Sequence, residues 1–282
     1  TKNWTYSSLS GFWPRGKWYF VRVRARDRAG NLVSANSLPV GTRFLVTAPA
    51  AAFRVDTPTG PYTAGTLQNM TVTALDELNN TSAGYLGTVR FSSLDSGAPE
   101  SPGNGLPQDY TFSGADGGVH TFVGGLNLKK SGTRTVFVYD AGATNINNAS
   151  QPGIDVRPGP ADRVLVLLPG ENPAPGTALG RSGAATEQTA GVGFGATVRV
   201  TDQFFNVVAA SQPVVNVAVD DPNAASPGPL TLTGGEQAVS VNLVSKGGFV
   251  TVPSPAPPFR HVSVSGAGLA GAWNTSSDIT VV

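Results

Sequence analysis

The chain has 282 residues, a formal net charge of +1, a charged fraction of only 13% and no cysteine. That balance excludes nucleic-acid binding driven by global charge, and the missing thiols exclude disulfides, thiolate metal centres and a cysteine nucleophile. No apolar run approaches the roughly 20 residues of a membrane-spanning helix, so no membrane insertion is expected. The 35 glycines and 22 prolines suit short strands joined by turns. A 40% hydrophobic fraction is enough for packed cores, and the length suits about two ordinary domains.

Residues 1–48 are too few for a complete sandwich. In WYFVRVRARD, Tyr19, Val21, Val23 and Ala25 alternate with Phe20, Arg22, Arg24 and Arg26, the period-two pattern of a half-buried strand. The turn RAGN leads to a second extended stretch over Leu32 to Val46, broken by Pro39 and Gly41. Such a segment supplies about three strands and leaves an apolar face uncovered, so it reads as the closing half of a sandwich whose opening half is missing. Trp4, Tyr6, Phe12, Trp13, Trp18, Tyr19 and Phe20 crowd its first twenty positions. They fit the core of a half-domain, a carbohydrate-stacking platform, or a face that packs against another subunit. The third role makes Trp13, Trp18, Phe20 and Val23 a candidate subunit interface. The arginine row Arg22, Arg24, Arg26 and Arg28 fits a solvated face, or one that pairs with acidic groups on a neighbour or binds a polyanion.

Residues 49–157 carry about seven short predicted strands: AAFRVD, QNMTVTALD, GTVRFSS, QDYTFSG, GVHTFVGGLNL, GTRTVFVYD and GIDVR. Turn clusters such as Asn79-Asn80, Asp95-Ser96-Gly97 and Asp116-Gly117-Gly118 punctuate them, which describes a β-sandwich. Residues 158–282 repeat the plan, with predicted strands over 163–168, 196–202, 214–219, 230–232, 238–244, 248–252 and the final SDITVV. A Gly/Pro/Ala-rich insertion near 169–187 separates the first two and reads as an Ω-like excursion or a mobile lobe. The chain thus reads as truncated at its N-terminus and complete at its C-terminus. The linker, Pro158 to Arg163, is too short for a free tether, so the domains are expected end to end with restricted bending.

One plan is written twice. Thr63-Ala64-Gly65 precedes an alternating run that ends in Asp76-x-x-x-Asn80, and at the same interval Thr189-Ala190-Gly191 precedes Asp202-x-x-x-Asn206. Asp27 and Asn31 stand in the same relation. Self-similarity over a long period marks a duplicated folding unit.

The stretch TAGT…TVTALDELNNTSAGYLGTVRFSS…DYTFSGADGGVHTF…SGTRTVFVYD resembles the tandem immunoglobulin-like repeats of large bacterial surface and secreted proteins. In that family TAG, V-x-A-x-D-x-x-x-N, GY-x-G-T-V-x-F and D-Y-x-F-x-x-x-D-x-G-x-H-x-F recur from repeat to repeat. The resemblance covers most of residues 50–157. Residues 158–282 keep TAG and Asp-x-x-x-Asn, but Ser211-Gln212-Pro213 replaces the GY-x-G turn and no Asp-Tyr-x-Phe follows. The opening segment resembles the end of fibronectin-like or Ig-like repeats that finish in Y-x-V-R-x-R-A-x-D-x-A-G-N. The resemblance implies an all-β chain of tandem Ig-like β-sandwiches preceded by an incomplete half-domain. It also implies an extracellular spacer, adhesin stalk or filament building block, and identifies no ligand.

Asp27, Asp76 and Asp202, with Asn31, Asn80 and Asn206, are the recurrent polar constellation. A carboxylate closing a strand accepts backbone N–H bonds from the following turn, and asparagine tolerates the left-handed conformation there. Calcium at the domain ends is the alternative reading, with Asp220-Asp221 a second candidate; no other metal and no cofactor is expected. His120 and His261 sit in no nucleophile or metal motif, and the glutamates fall at unrelated places in the two repeats, so no enzyme is expected. Asn-x-Ser/Thr triplets at Asn3, Asn69, Asn79, Asn80, Asn148 and Asn274 would accept glycans on a secreted chain. The expected function is a non-enzymatic extracellular structural protein: a self-assembling filament, sheath or cell-surface stalk subunit, completed by strand or half-domain exchange. Its partners would be copies of itself or neighbouring domains of a longer chain. The alternative is an adhesin or glycan-binding module that meets surface glycans.

Overall fold

The computed structural model describes residues 18–21, 26, 28–31, 42–46, 48–95, 105–142, 145–246, 259–266, 269 and 275–282. Every regular element among them is a strand. β1 (Trp18–Val21) and β2 (Thr42–Leu45) form an antiparallel pair with Trp18 opposite Leu45 and Phe20 opposite Arg43. Trp13, Val23 and Asp27 lie outside the described residues.

The first sandwich is built from β3 (Ala52–Asp56), β4 (Tyr62–Thr63), β5 (Gln68–Leu75), β6 (Thr88–Ser93), β7 (Tyr110–Thr111), β8 (Val119–Leu126), β9 (Gly132–Asp140) and β10 (Ala149–Arg157). One sheet runs β3-β5-β8 and the other β4-β10-β9-β6-β7. Alternation decides which face is which. Along β3, Phe53 and Val55 are buried while Arg54 and Asp56 pair on the outer face at 2.8 Å. Met70, Val72 and Leu126 of the first sheet meet Val89, Phe91, Val136, Val138 and Ile154 of the second. Each fully buried side chain of this size contributes about 1.5–3 kcal/mol, so this seam holds the two sheets together.

The second sandwich is built from β11 (Arg163–Leu167), β12 (Glu171–Pro173), β13 (Arg181–Gly183), β14 (Phe194–Thr201), β15 (Val214–Val219), β16 (Gly228–Thr231), β17 (Glu236–Val241) and β18 (Val262–Ser265). Its sheets are β11-β14-β17 and β16-β15-β18. Val164, Val166, Val198 and Val200 face Val215, Val217, Val262 and Val264 across a separate core. Ile279 and Val281 close that core through single bridges to Arg260 and Gln188.

Two features differ from the sequence reading. Val262–Ser265, left unassigned there, is a strand whose two valines are buried. The insertion near 169–187, expected as an Ω-like excursion or a mobile lobe, carries a short hairpin: β12 and β13 pair antiparallel, with Glu171 opposite Gly183 and Pro173 opposite Arg181. The strand expected over 248–252 lies outside the described residues.

Candidate functional site

The second Asp-x-x-x-Asn copy lies where the two sandwiches meet. β14 ends at Thr201, and the buried Asp202 folds the chain back on itself. Its Oδ1 accepts the N–H groups of Phe204 (2.8 Å) and Asn206 (3.0 Å), while Oδ2 accepts Gly159 N–H and Asn206 Nδ2, both at 2.8 Å. The Asp202 N–H donates to the Asn206 carbonyl at 2.9 Å, closing the loop, and Phe205 takes the left-handed conformation with φ of 64°. The bond from Gly159 ties the linker to the same carboxylate.

Asn206 faces the other way, into the first sandwich. Its Nδ2 donates to the Lys129 carbonyl at 2.7 Å, and its Oδ1 accepts the Ser131 N–H at 2.8 Å. The two amide hydrogens thus go to Lys129 and Asp202 and the carbonyl accepts from Ser131, so each polar atom of the side chain is paired while it is only 1% exposed.

Two adjacent phenylalanines point to opposite sides of this joint. Phe204 packs against the first core, over Gly65, where a Cβ would lie 2.3 Å from the ring; the glycine of the first Thr-Ala-Gly therefore makes room for an aromatic of the second copy. Phe205 goes to the second sandwich, where it clusters with Leu165 and Leu167 beneath the Arg163 guanidinium, 5.0 Å from the ring centroid. The β12–β13 hairpin supports the loop from outside. Gly176 donates to the Phe204 carbonyl at 2.7 Å, and Gly180 packs on Phe205 so closely that a Cβ would lie 2.2 Å from the ring. A cleft of about 260 Å³ remains at the joint, lined by Thr63, Ala64, Gly159, Pro160, Asp162 and Asp202 among others.

The first copy has the same backbone but not the same surroundings. Asp76 is buried, and its Oδ1 accepts Leu78 N–H (2.9 Å) and Asn80 N–H (2.8 Å). Asp76 N–H donates to the Asn80 carbonyl at 2.8 Å, and Asn79 is left-handed with φ of 62°. Asn80 itself is exposed, and its Nδ2 lies 3.4 Å from each Asp76 oxygen. Asn31 of the third pair is exposed.

These carboxylates are occupied by the chain itself. An ionised carboxylate offers about four acceptor positions, and Asp202 fills four with N–H donors. Asp221 is held in the same manner by the N–H groups of Asn223, Val244 and Ser245 and by the Ser245 hydroxyl. Burial works to raise its pKa, but these donors, Ser245 foremost, bring it down to about 2. Asp220 accepts His261 Nδ1 at 2.9 Å, and Asp278 lies 3.0 Å from His261 Nε2. Among the described residues no three His, Cys, Asp or Glu side chains form a group that would hold a metal ion.

The remaining shared motifs also serve the fold. In D-Y-x-F-x-x-x-D-x-G-x-H-x-F, Asp109 forks onto Arg90 (2.6 Å), Tyr110 stacks on His120 with centroids 3.8 Å apart, and Asp116 accepts Tyr110 Oη, Ser113 N–H and Oγ, and His120 Nδ1. In GY-x-G, Tyr85 packs edge-on against Phe53 and Phe112 and donates to Asp140. His120 is thereby held between the Tyr110 ring and the Asp116 carboxylate. Sequence reasoning missed Phe204, Lys129, Ser131 and Gly159. The one signal available was Phe204-Phe205, an aromatic pair in a turn that solvent alone would not favour.

No family model and no curated protein matches the chain. Solved structures with a similar fold include the Escherichia coli adhesin FdeC, at 15% identity over 86% of this chain and 69% of that one, with a TM-score of 0.33. Trypsin-activated alpha-2-macroglobulin from Escherichia coli matches at 12% identity over 92% of this chain and 19% of that one, with a TM-score of 0.38. Invasin, a bacterial integrin-binding protein, matches at 16% identity over 81% and 39%, with a TM-score of 0.29. Likenesses this distant carry no argument about function.

Proposed function

We propose that this chain is a non-enzymatic, extracellular structural protein of the bacterial cell surface, a stalk segment in which Ig-like sandwiches are joined end to end and hold a fixed angle. The observation that carries the proposal is Asn206: a buried side chain in one sandwich spends its hydrogen bonds on backbone groups of the other. A flexible tether has no use for such a residue, whereas a spacer that must project what lies beyond it does. The absence of cysteine allows a clean test. Spin labels at Val123→Cys and Val214→Cys, one exposed site in each sandwich, should give a narrow distance distribution that broadens in Asn206→Ala. A broad distribution in the parent pair would overturn the proposal.

In the filament form of this reading, Trp13, Trp18, Phe20 and Val23 lie between subunits. Electron microscopy of the native material beside its intact mass decides that form. Filaments built from a 28.9 kDa species support it, and a monodisperse monomer sinks it. The alternative, an adhesin or glycan-binding module, requires a soluble sugar to shift the tryptophan fluorescence.

A further inference from the structure

We propose that the Asp76–Asn80 loop is a docking face for the unit formed by residues 1–47, and that Leu78 enters that unit as Phe204 enters the first sandwich. This deepens the stalk reading and rests on it: the joint seen once would be used twice.

Three observations lead there. The loop backbones correspond bond for bond, from the Asp Oδ1 that accepts two N–H groups to the left-handed residue at the fourth position. Leu78 therefore holds the place of Phe204, and Asn80 that of Asn206. Yet the surroundings are opposite. Leu78 is 75% exposed and Asn80 is exposed, whereas Asn206 is 1% exposed. No donor among the described residues reaches the Asn80 side-chain carbonyl, the atom that in Asn206 accepts a neighbour's N–H.

A single exposed leucine is ordinary, and by itself would mean nothing. Here it stands at the tip of a preformed loop whose twin is seated in a neighbour. The third observation fixes which neighbour. Ala48 is buried, and its carbonyl accepts the Ser82 hydroxyl at 2.6 Å, so the preceding segment leaves the sandwich from beside this loop, as the linker at Gly159 touches Asp202. The chain before Ala48 therefore starts beside the loop that carries Leu78.

Thiol labelling of the full chain tests this, since the only cysteine is the one introduced. Leu78→Cys and Phe204→Cys should react at least about tenfold more slowly than Val123→Cys, whose parent residue is 83% exposed, and all three should react alike in denaturant. Leu78→Cys as fast as Val123→Cys, with Phe204→Cys slow, overturns the docking face and leaves the joint intact. Fast reaction at both positions overturns the joint itself. Hydroxyl-radical footprinting of the unaltered chain supplies a measurement that needs no variant. Leu78 should oxidise several-fold more slowly than Leu94, which is 68% exposed, and equal rates overturn the proposal.

Discussion

Replacing Asn206 by alanine tests the joint most directly. The change leaves the Ser131 N–H and the Lys129 carbonyl unpartnered in a closed interface and takes one of four donors from Asp202. A neutral hydrogen bond contributes about 1 kcal/mol net, so losing the two that cross the joint should cost about 2 kcal/mol of coupling between the sandwiches, while losing the bond to the Asp202 carboxylate weakens the loop itself by about 1.5–3. A domain is stable by only about 5–15 kcal/mol, so a loss of this size is easily measured. Two assays locate it. Chemical denaturation should show the two cores separating into distinct transitions or a shared midpoint falling, while Gln203→Ala, an exposed change in the same loop, stays within about 0.5 kcal/mol of the parent. Native-state hydrogen exchange should show the Ser131 amide exchanging at least about tenfold faster, with the amides of Val72 and Val198 unchanged. A loss below about 1 kcal/mol, or an unaltered Ser131 amide, would refute the reasoning that Asn206 holds the joint.

Other consequences follow from the same geometry. Gly65→Ala places a methyl inside the Phe204 ring at a φ of 81°, and should cost at least about 2 kcal/mol, whereas Gly195→Ala, which meets nothing within 4 Å on β14, should be neutral or gain up to about 1; equal melting shifts in the two would show that Phe204 yields freely. Burial opposes the charge on His261, but its hydrogen bonds to Asp220 and Asp278 raise its pKa above the ordinary 6.5. The raised value means stability that is fully present below about pH 6.5 and lost as pH rises through the folded pKa. His261→Gln should flatten that part of the melting curve against pH, and an unchanged slope would refute the clamp. Asp221 has the opposite sign: with its folded pKa near about 2, its contribution is present above the unfolded value near pH 4 and lost as pH falls toward 2, and Asp221→Asn should remove that acid dependence. Asp76 Oδ1 and both oxygens of Asp202 and Asp221 accept donors of the chain itself, so EDTA is expected to leave the melting temperature unchanged; a rise of several degrees on adding calcium would support the calcium reading.

The sheets were legible because a half-buried strand prints its burial on every second residue. Phe53 and Val55 against Arg54 and Asp56 show it on β3, and Val89 and Phe91 against Arg90 show it on β6. The Asp-x-x-x-Asn loop was legible as turn chemistry, since a carboxylate followed by a left-handed residue needs only local donors. Its destination was not. Asn206 meets backbone groups 75 and 77 residues away, and a backbone carbonyl or N–H leaves no mark in sequence. The β12–β13 hairpin was hidden for a related reason. Its strands are three residues each and rich in glycine and proline, so what orders them is the Phe204-Phe205 loop they lean on, not a pattern of their own. β18 escaped because VSVS is too short to carry a period, and its two buried valines are explained only by the sheet that pairs with it.

The stiffness proposed for the joint rests on where its parts are anchored. Phe204 and Phe205 are neighbours in sequence, yet one ring packs on the first core and the other on Leu165 and Leu167 of β11 in the second sandwich. The left-handed turn at Phe205 and the carboxylate of Asp202 fix the angle between them. To bend the chain here, Phe204 must leave its place over Gly65 and Asn206 must release Lys129 and Ser131. Each of these forfeits interactions that contribute about 2 kcal/mol or more. Together they amount to at least about 4 kcal/mol, which leaves the bent form at roughly one molecule in a thousand. The five residues 158–162 restrict bending by their shortness and by Pro158 and Pro160, but their remaining torsions leave the angle to be set by the loop. The restraint comes from a loop that is rigid before it docks, since Asp202 saturates its hydrogen bonds within the second sandwich and its linker. The neighbour then has only to receive one ring and one amide.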